Sequence, residues 1–166
     1  MAHIGILGLG NWGTAIAAMW LKDGHNVKGW TIEKEVYQSI MMKDENSVYL
    51  EGVSVKGLDV TMHLEEALEG VEIIVLAVPS SVILDVVNDV IPHLRPGHVL
   101  LDLAKGLAPK KRLISSAIEE ILKENDLHNP LAVLTGPTSA TEAANGVMTT
   151  ALVASEEGSV AKRLAE

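Results

Sequence analysis

The stretch His3-Ile4-Gly5-Ile6-Leu7-Gly8-Leu9-Gly10-Asn11-Trp12-Gly13, followed at once by Thr14-Ala15-Ile16-Ala17-Ala18-Met19-Trp20-Leu21, decides the fold. It reads as a short apolar strand, a turn with glycines at the G-x-G-x-x-G spacing, and a mostly apolar helix. Strand, glycine turn and helix start together make a site for a dinucleotide pyrophosphate. Gly8 permits the tight turn, Gly10 lets the backbone approach the phosphates, and Gly13 lets the helix pack close to the strand. The diphosphate then sits at the helix N-terminus, where unpaired N–H groups and the helix dipole favour an anion.

Bulk properties agree with an α/β domain. A chain of 166 residues is long enough for one sizeable core. Aromatics make up 3% and Phe is absent, so branched aliphatics, Ala and Met must fill that core, which favours a sheet covered by helices. A net charge of −9 argues against nucleic acid and anionic membrane as partners, because both demand a basic footprint. An anionic substrate must then find local cations. The absence of cysteine removes disulfides and thiolate metal sites and suits a cytoplasmic setting. No apolar stretch approaches the roughly 20 residues of a membrane span, and the N-terminal run reads as a strand, without the basic flank of a signal peptide.

Outward from the first strand, strand and helix patterns alternate. Strands are expected at 3–8, 26–31, 58–62, 71–78, 97–103, 130–135 and 148–154, and helices at 12–22, 33–42, 63–69, 80–91, 111–124, 138–145 and 158–166. Such alternation predicts a doubly wound parallel sheet of the Rossmann type with helices on both faces. Residues 43–57 are the least regular and are expected to form a loop. The last helix stops after barely two turns. The expectation is therefore a dinucleotide-binding domain spanning 1–166 that ends at the domain's C-terminal edge.

In this fold the strand order reverses between the first and fourth strands, and ligands bind in the crevice at the carboxyl ends there. The rule selects Gly8 to Gly13, the end of the second strand, Val78-Pro79-Ser80, Lys105-Gly106 and Gly136-Pro137-Thr138. Glu33 lies about 20 positions beyond the glycine motif, where an acid accepts hydrogen bonds from the adenosine ribose and repels a 2′-phosphate. It is equally readable as an exposed first-turn residue favoured by the helix dipole. Lys105 follows the apolar run Val99-Leu100-Leu101-Asp102-Leu103, where an anionic or carbonyl substrate would be met; the alternative is a solvated loop lysine. Ser139 and Glu142 fit an S-x-x-E capping box, so the Gly136-Pro137-Thr138 turn is either helix-start chemistry or a source of ligand contacts. The six histidines show no metal-ligand spacing, and Ser80-Ser81 lacks the frame of a nucleophile elbow.

Taken together, Gly8-Leu-Gly-Asn-Trp-Gly-Thr-Ala15, Asn46 with Tyr49-Leu50 and Gly52, Ala77-Val-Pro-Ser80, Ala104-Lys-Gly-Leu107, and Thr135-Gly-Pro-Thr-Ser-Ala140 with Glu142 and Gly146 resemble the N-terminal domain of NAD(P)-dependent glycerol-3-phosphate dehydrogenases. The segments run in that family's order over essentially the whole chain. The resemblance implies interconversion of sn-glycerol 3-phosphate and dihydroxyacetone phosphate by hydride transfer. By that resemblance Asn11, Trp12 and Ala140 line the cofactor, with Pro79 beside it, Lys105 contacts both cofactor and substrate, and Gly136 and Thr138 meet the glycerol phosphate. Members that favour NADP often carry Arg or His where Ile32 stands, so Ile32-Glu33 looks like NAD-preferring members, with NADP as the second choice. The family's proton-transferring lysine and its phosphate-binding residues lie in a helical C-terminal domain absent from these residues. Two rival readings are the cofactor domain of another hydroxyacid dehydrogenase (ketopantoate or 6-phosphogluconate type) and a non-catalytic nucleotide-binding module. Apolar surface left without its second domain also leaves a homo-oligomer open.

Overall fold

A computed structural model describes residues 1–137 and 139–165. Seven strands, β1 (His3–Leu7), β2 (Asn26–Trp30), β3 (Asp59–Thr61), β4 (Ile73–Leu76), β5 (Val99–Asp102), β6 (Leu131–Thr135) and β7 (Leu152–Ser155), form one sheet in the order β3-β2-β1-β4-β5-β6-β7. Seven α-helices alternate with them: α1 (Asn11–Lys22), α2 (Lys34–Lys43), α3 (Leu64–Leu68), α4 (Ile83–Val90), α5 (Ile114–Glu124), α6 (Ala140–Ala144) and α7 (Gly158–Ala165). The first six strands pair in parallel, and the order turns back between β1 and β4, which opens the expected crevice at their carboxyl ends.

Side-chain alternation along each strand builds two cores. Ile4 and Ile6 of β1, Ile73 and Val75 of β4, and Val99 and Leu101 of β5 face α1, α2 and α7. Leu7, Ile74, Leu76 and Leu100 face α3, α4 and α5. A period of two in a sheet covered on both sides makes every strand position apolar, which is why these segments read as continuous hydrophobic runs.

Three expectations need correcting. The sheet is not parallel throughout: β7 pairs antiparallel with β6 and runs over 152–155 in place of the expected 148–154. The short α6 packs along α1, and the chain then returns beside β6, a route an antiparallel neighbour permits without a full crossover helix. The helix expected at 80–91 begins at Ile83, after a turn in which Val82 N–H donates to Pro79 O at 3.0 Å, and it continues as a 3-10 turn at Ile91–His93. The helix expected from 111 begins at Ile114, because Lys110 and Lys111 both adopt positive φ (60° and 57°), which α-helix cannot contain. The loop expected at 43–57 is present from residue 44 on, but it is not exposed throughout. Asn46, Leu50, Val53 and Val55 are buried, and Glu45 bridges to Ser54.

Candidate functional site

Turn geometry at the glycine motif follows from what each missing side chain permits. Gly8 has φ 101°, the left-handed region that other residues enter at a cost, and a Cβ there would also come within 2.9 Å of Ala77 O. Gly13 is a close-approach glycine: a Cβ would stand 2.0 Å from Gly8 O. Gly10 differs from both, since a Cβ built on it would meet nothing among the described residues within 4 Å. The space beside Gly10 is thus left open by the protein itself. Gly10 is also the N-cap of α1; no side chain caps this end, and the first turn bond is Thr14 N–H to Gly10 O at 3.0 Å. The N–H groups of the first turn therefore point without intrahelical acceptors toward that space.

Around it lies a cleft of about 720 Å³ lined by the ends of β1, β2 and β4 and by the segment after β5. It brings together Gly8, Gly10, Asn11, Trp12, Glu33, Pro79 and Lys105 of the residues singled out in the sequence. Three backbone bonds set its floor: Gly8 N–H to Trp30 O (3.0 Å), Ala77 N–H to Leu7 O (2.8 Å) and Leu103 N–H to Leu76 O (3.0 Å). A second chamber of about 320 Å³ shares Trp12 and Lys105 with the cleft and adds Asp102, Ser115, Thr135 and Gly136. Lys105 thus stands where the two spaces meet, and its ammonium forms no ion pair among the described residues. Gly13 is buried and lines neither space, so its part is to hold α1 against β1. Ala140 opens α6, packs against the α1-side core and also lines neither. Thr138 lies outside the described residues. Ser139 Oγ accepts from Glu142 N–H at 3.5 Å, the helix-start half of the alternative posed for that turn.

Three residues carry more of the site than their sequence context suggested. Asn46 is fully buried; its Nδ2 donates to Leu9 O and Thr14 Oγ1, each at 2.8 Å, and its Oδ1 accepts from Tyr49 N–H at 3.3 Å. One amide thereby braces the glycine turn against the 44–55 segment. Replacing it with alanine leaves several buried polar partners unsatisfied and opens a void. Asn46→Ala is expected to destabilise the fold by about 3 kcal/mol, read as a lower urea midpoint. Tyr49 O–H reaches both oxygens of Glu33, at 2.9 and 3.0 Å, so Glu33 is a cleft residue with a fixed partner as well as the residue preceding α2. That bond lifts the Tyr49 phenol above its ordinary pKa, with burial and the charges of Glu33 and Glu35 adding to it. Asp102 ends β5 with 2% exposure, and burial pushes its carboxyl up to about 6 despite the bond its Oδ1 accepts from Ala104 N–H at 2.8 Å. A charged residue inside the run Val99 to Leu103 was the visible signal for it; Asn46 and Tyr49 sit in a stretch without periodicity and had none beyond the family motif.

Among the described residues no group of His, Asp and Glu side chains is placed to hold a metal ion, and no helix is long and apolar enough to cross a membrane.

Residues 3–161 match the sequence family described as "NAD-dependent glycerol-3-phosphate dehydrogenase N-terminus". The chain is 37% identical over 163 residues to a glycerol-3-phosphate dehydrogenase [NAD(P)+] of Clostridium acetobutylicum, covering 95% of this chain and 47% of that protein. It is 34% identical over 156 residues to the same kind of enzyme from Fusobacterium nucleatum, with 92% and 46% covered. The crystal structure of glycerol-3-phosphate dehydrogenase from Coxiella burnetii superposes with a TM-score of 0.88 at 31% identity, over 98% of this chain and 50% of that one. The chain thus spans about half the length of the relatives it matches.

Proposed function

The chain belongs to the family of NAD-dependent glycerol-3-phosphate dehydrogenases, whose N-terminal domain it matches, and from that premise we propose that its crevice binds NAD, with NADP as a weaker second cofactor. The observation that carries this reading is the open space at Gly10 against the uncapped start of α1. A pyrophosphate fits there on elementary grounds, because a β-carbon would occupy the space and the helix dipole favours the anion. Glu33 then lies toward the adenosine ribose, where its carboxylate accepts from the hydroxyls and repels a 2′-phosphate. Trp12, Pro79 and Lys105 lie toward the nicotinamide.

When bound, the nicotinamide supplies or accepts a hydride. The chain's own residues orient that exchange. We place the substrate, sn-glycerol 3-phosphate or dihydroxyacetone phosphate, in the 320 Å³ chamber beside Lys105 and Gly136. The Lys105 ammonium polarises the carbonyl and stabilises negative charge growing on its oxygen. A dianionic phosphate and a nascent alkoxide together demand more cations than one lysine. Asp102, the other ionisable side chain lining the chamber among the described residues, is an acid and adds none.

Titration with NADH and NADPH, followed by quenching of Trp fluorescence, tests the reading, because Trp12 and Trp30 both line the cleft. Residues 1–166 are expected to bind NADH saturably, NADPH more weakly, and to show little or no turnover with dihydroxyacetone phosphate. Absence of saturable binding at millimolar cofactor refutes the cofactor assignment, and rapid turnover by these residues alone refutes the shortage of cations.

A further inference from the structure

We propose that Tyr49 is a specificity-determining residue of the cofactor site: its phenol clamps the Glu33 carboxylate in the orientation that accepts a ribose 2′-hydroxyl and rejects a 2′-phosphate. The inference rests on the cofactor reading above and assigns the discrimination to a pair of side chains rather than to one acid.

Three observations carry it. The phenol O–H is nearly equidistant from the two carboxylate oxygens, at 2.9 and 3.0 Å, so it sits across both and its single proton is shared between them. Each oxygen therefore keeps lone-pair capacity for a hydroxyl of the ribose. Both residues line the same 720 Å³ cleft as Gly10 and the start of α1, on the side formed by the end of β2. Tyr49 is itself held from behind. Its N–H donates to Asn46 Oδ1 at 3.3 Å, and the next residue, Leu50, is buried and donates its N–H to Asn46 O at 2.9 Å.

The consequence is mechanical as well as electrostatic. Asn46 also holds Leu9 O and Thr14 Oγ1 of the glycine turn, so one buried amide sets the spacing between the pyrophosphate end of the site and the carboxylate at its ribose end. Glu33 immediately precedes α2, is followed by Lys34 and Glu35, and lies only partly buried. Without the phenol its carboxylate is free to rotate toward solvent or toward the Lys34 ammonium. A carboxylate free to swing away yields to a 2′-phosphate; one tethered at both oxygens does not. A phenol is protonated at neutral pH, so it is a donor there, and the bond to Glu33 shifts its pKa further up.

The test is a set of NADH and NADPH titrations on the wild-type chain and on Tyr49→Phe, Glu33→Gln and the double variant, with thermal melts to verify folding. Tyr49→Phe keeps the half-exposed ring and removes only the hydroxyl. It is expected to lower the preference for NADH over NADPH about five-fold, the scale of one partly exposed hydrogen bond to a charged group. In the Glu33→Gln background the same change is expected to leave the preference where Glu33→Gln alone puts it. An unchanged preference in Tyr49→Phe overturns the proposal, as does equal weakening of both cofactors or an undiminished effect when Glu33 is already Gln. Failure of the wild-type chain to bind NADH overturns the cofactor reading as well, whereas normal wild-type binding with an unaltered Tyr49→Phe overturns the clamp alone.

Discussion

Gly13→Ala cuts cofactor affinity about 100-fold and loosens the fold, while Gly10→Ala weakens binding and leaves the fold intact: this is the expected result of a paired substitution in the glycine turn. The two positions are three residues apart in one motif, yet the chain treats them oppositely. A methyl at Gly13 would stand 2.0 Å from Gly8 O and 3.2 Å from the Ala77 side chain, both fixed by the sheet. Backbone cannot rotate away from such a clash, so α1 must shift off β1 at its first turn. Overpacking against backbone at a buried site costs about 3 kcal/mol. The displaced helix start carries its N–H groups away from the pyrophosphate, and NADH affinity is expected to fall about 100-fold, the equivalent of about 3 kcal/mol.

Gly10 has φ −72°, a conformation any residue adopts, and a methyl there meets nothing among the described residues. Its stability is expected to stay within about 0.5 kcal/mol of wild type. Only a ligand is in its way. Urea melts with NADH titrations on both variants separate the effects. If Gly10→Ala binds NADH as tightly as wild type, the space beside it is not where the pyrophosphate lies.

Asp102→Asn is expected to stabilise the protein at neutral pH and to do almost nothing in acid. Burial raises the carboxyl of Asp102 from an ordinary 3.8 to about 6. The folded state therefore binds the proton more tightly than the unfolded chain, and ionisation costs folding free energy. That cost is absent below about pH 4, grows as pH rises through the interval to about 6, and is complete above it. A rise of roughly two units corresponds to about 3 kcal/mol. Asparagine keeps an oxygen to accept from Ala104 N–H and removes the charge. At pH 8 its unfolding free energy is expected to exceed wild type by about 2 kcal/mol, allowing for imperfect partners to the new amide protons, and the gap is expected to close near pH 4. An Asp102→Asn variant no more stable at pH 8 than wild type would show that ionised Asp102 is better solvated than its burial indicates. The cost falls in the chamber wall beside Lys105, where an acid contributes nothing to the apolar core around it.

The glycine turn, the crevice and the strand alternation are legible in the sequence because each rests on local chemistry. Gly8 and Gly13 are where a side chain is excluded by neighbours a few residues away or by the strand that always lies beside β1 in this fold. Val71 to Val78 read as a buried strand because both of its faces are covered. The direction of β7 was not legible: four residues with one mixed face suit either pairing, and only the route of the chain through α6 settles it. Nor was the burial of 43–57, since an irregular segment earns its place in a core through contacts with distant residues.

Sequence by itself determined the doubly wound sheet and the place of the crevice, because strand and helix periodicities and the glycine spacing are properties of neighbouring residues; the family was carried by the resemblance of the ordered motifs. Tertiary structure alone decided how the crevice is equipped. It brought Asn46 under a turn some 35 residues earlier in the chain, set Tyr49 on Glu33, and sealed Asp102 into the wall beside Lys105. Long-range hydrogen bonds and desolvation depend on what the folded chain places together, and no local pattern encodes them.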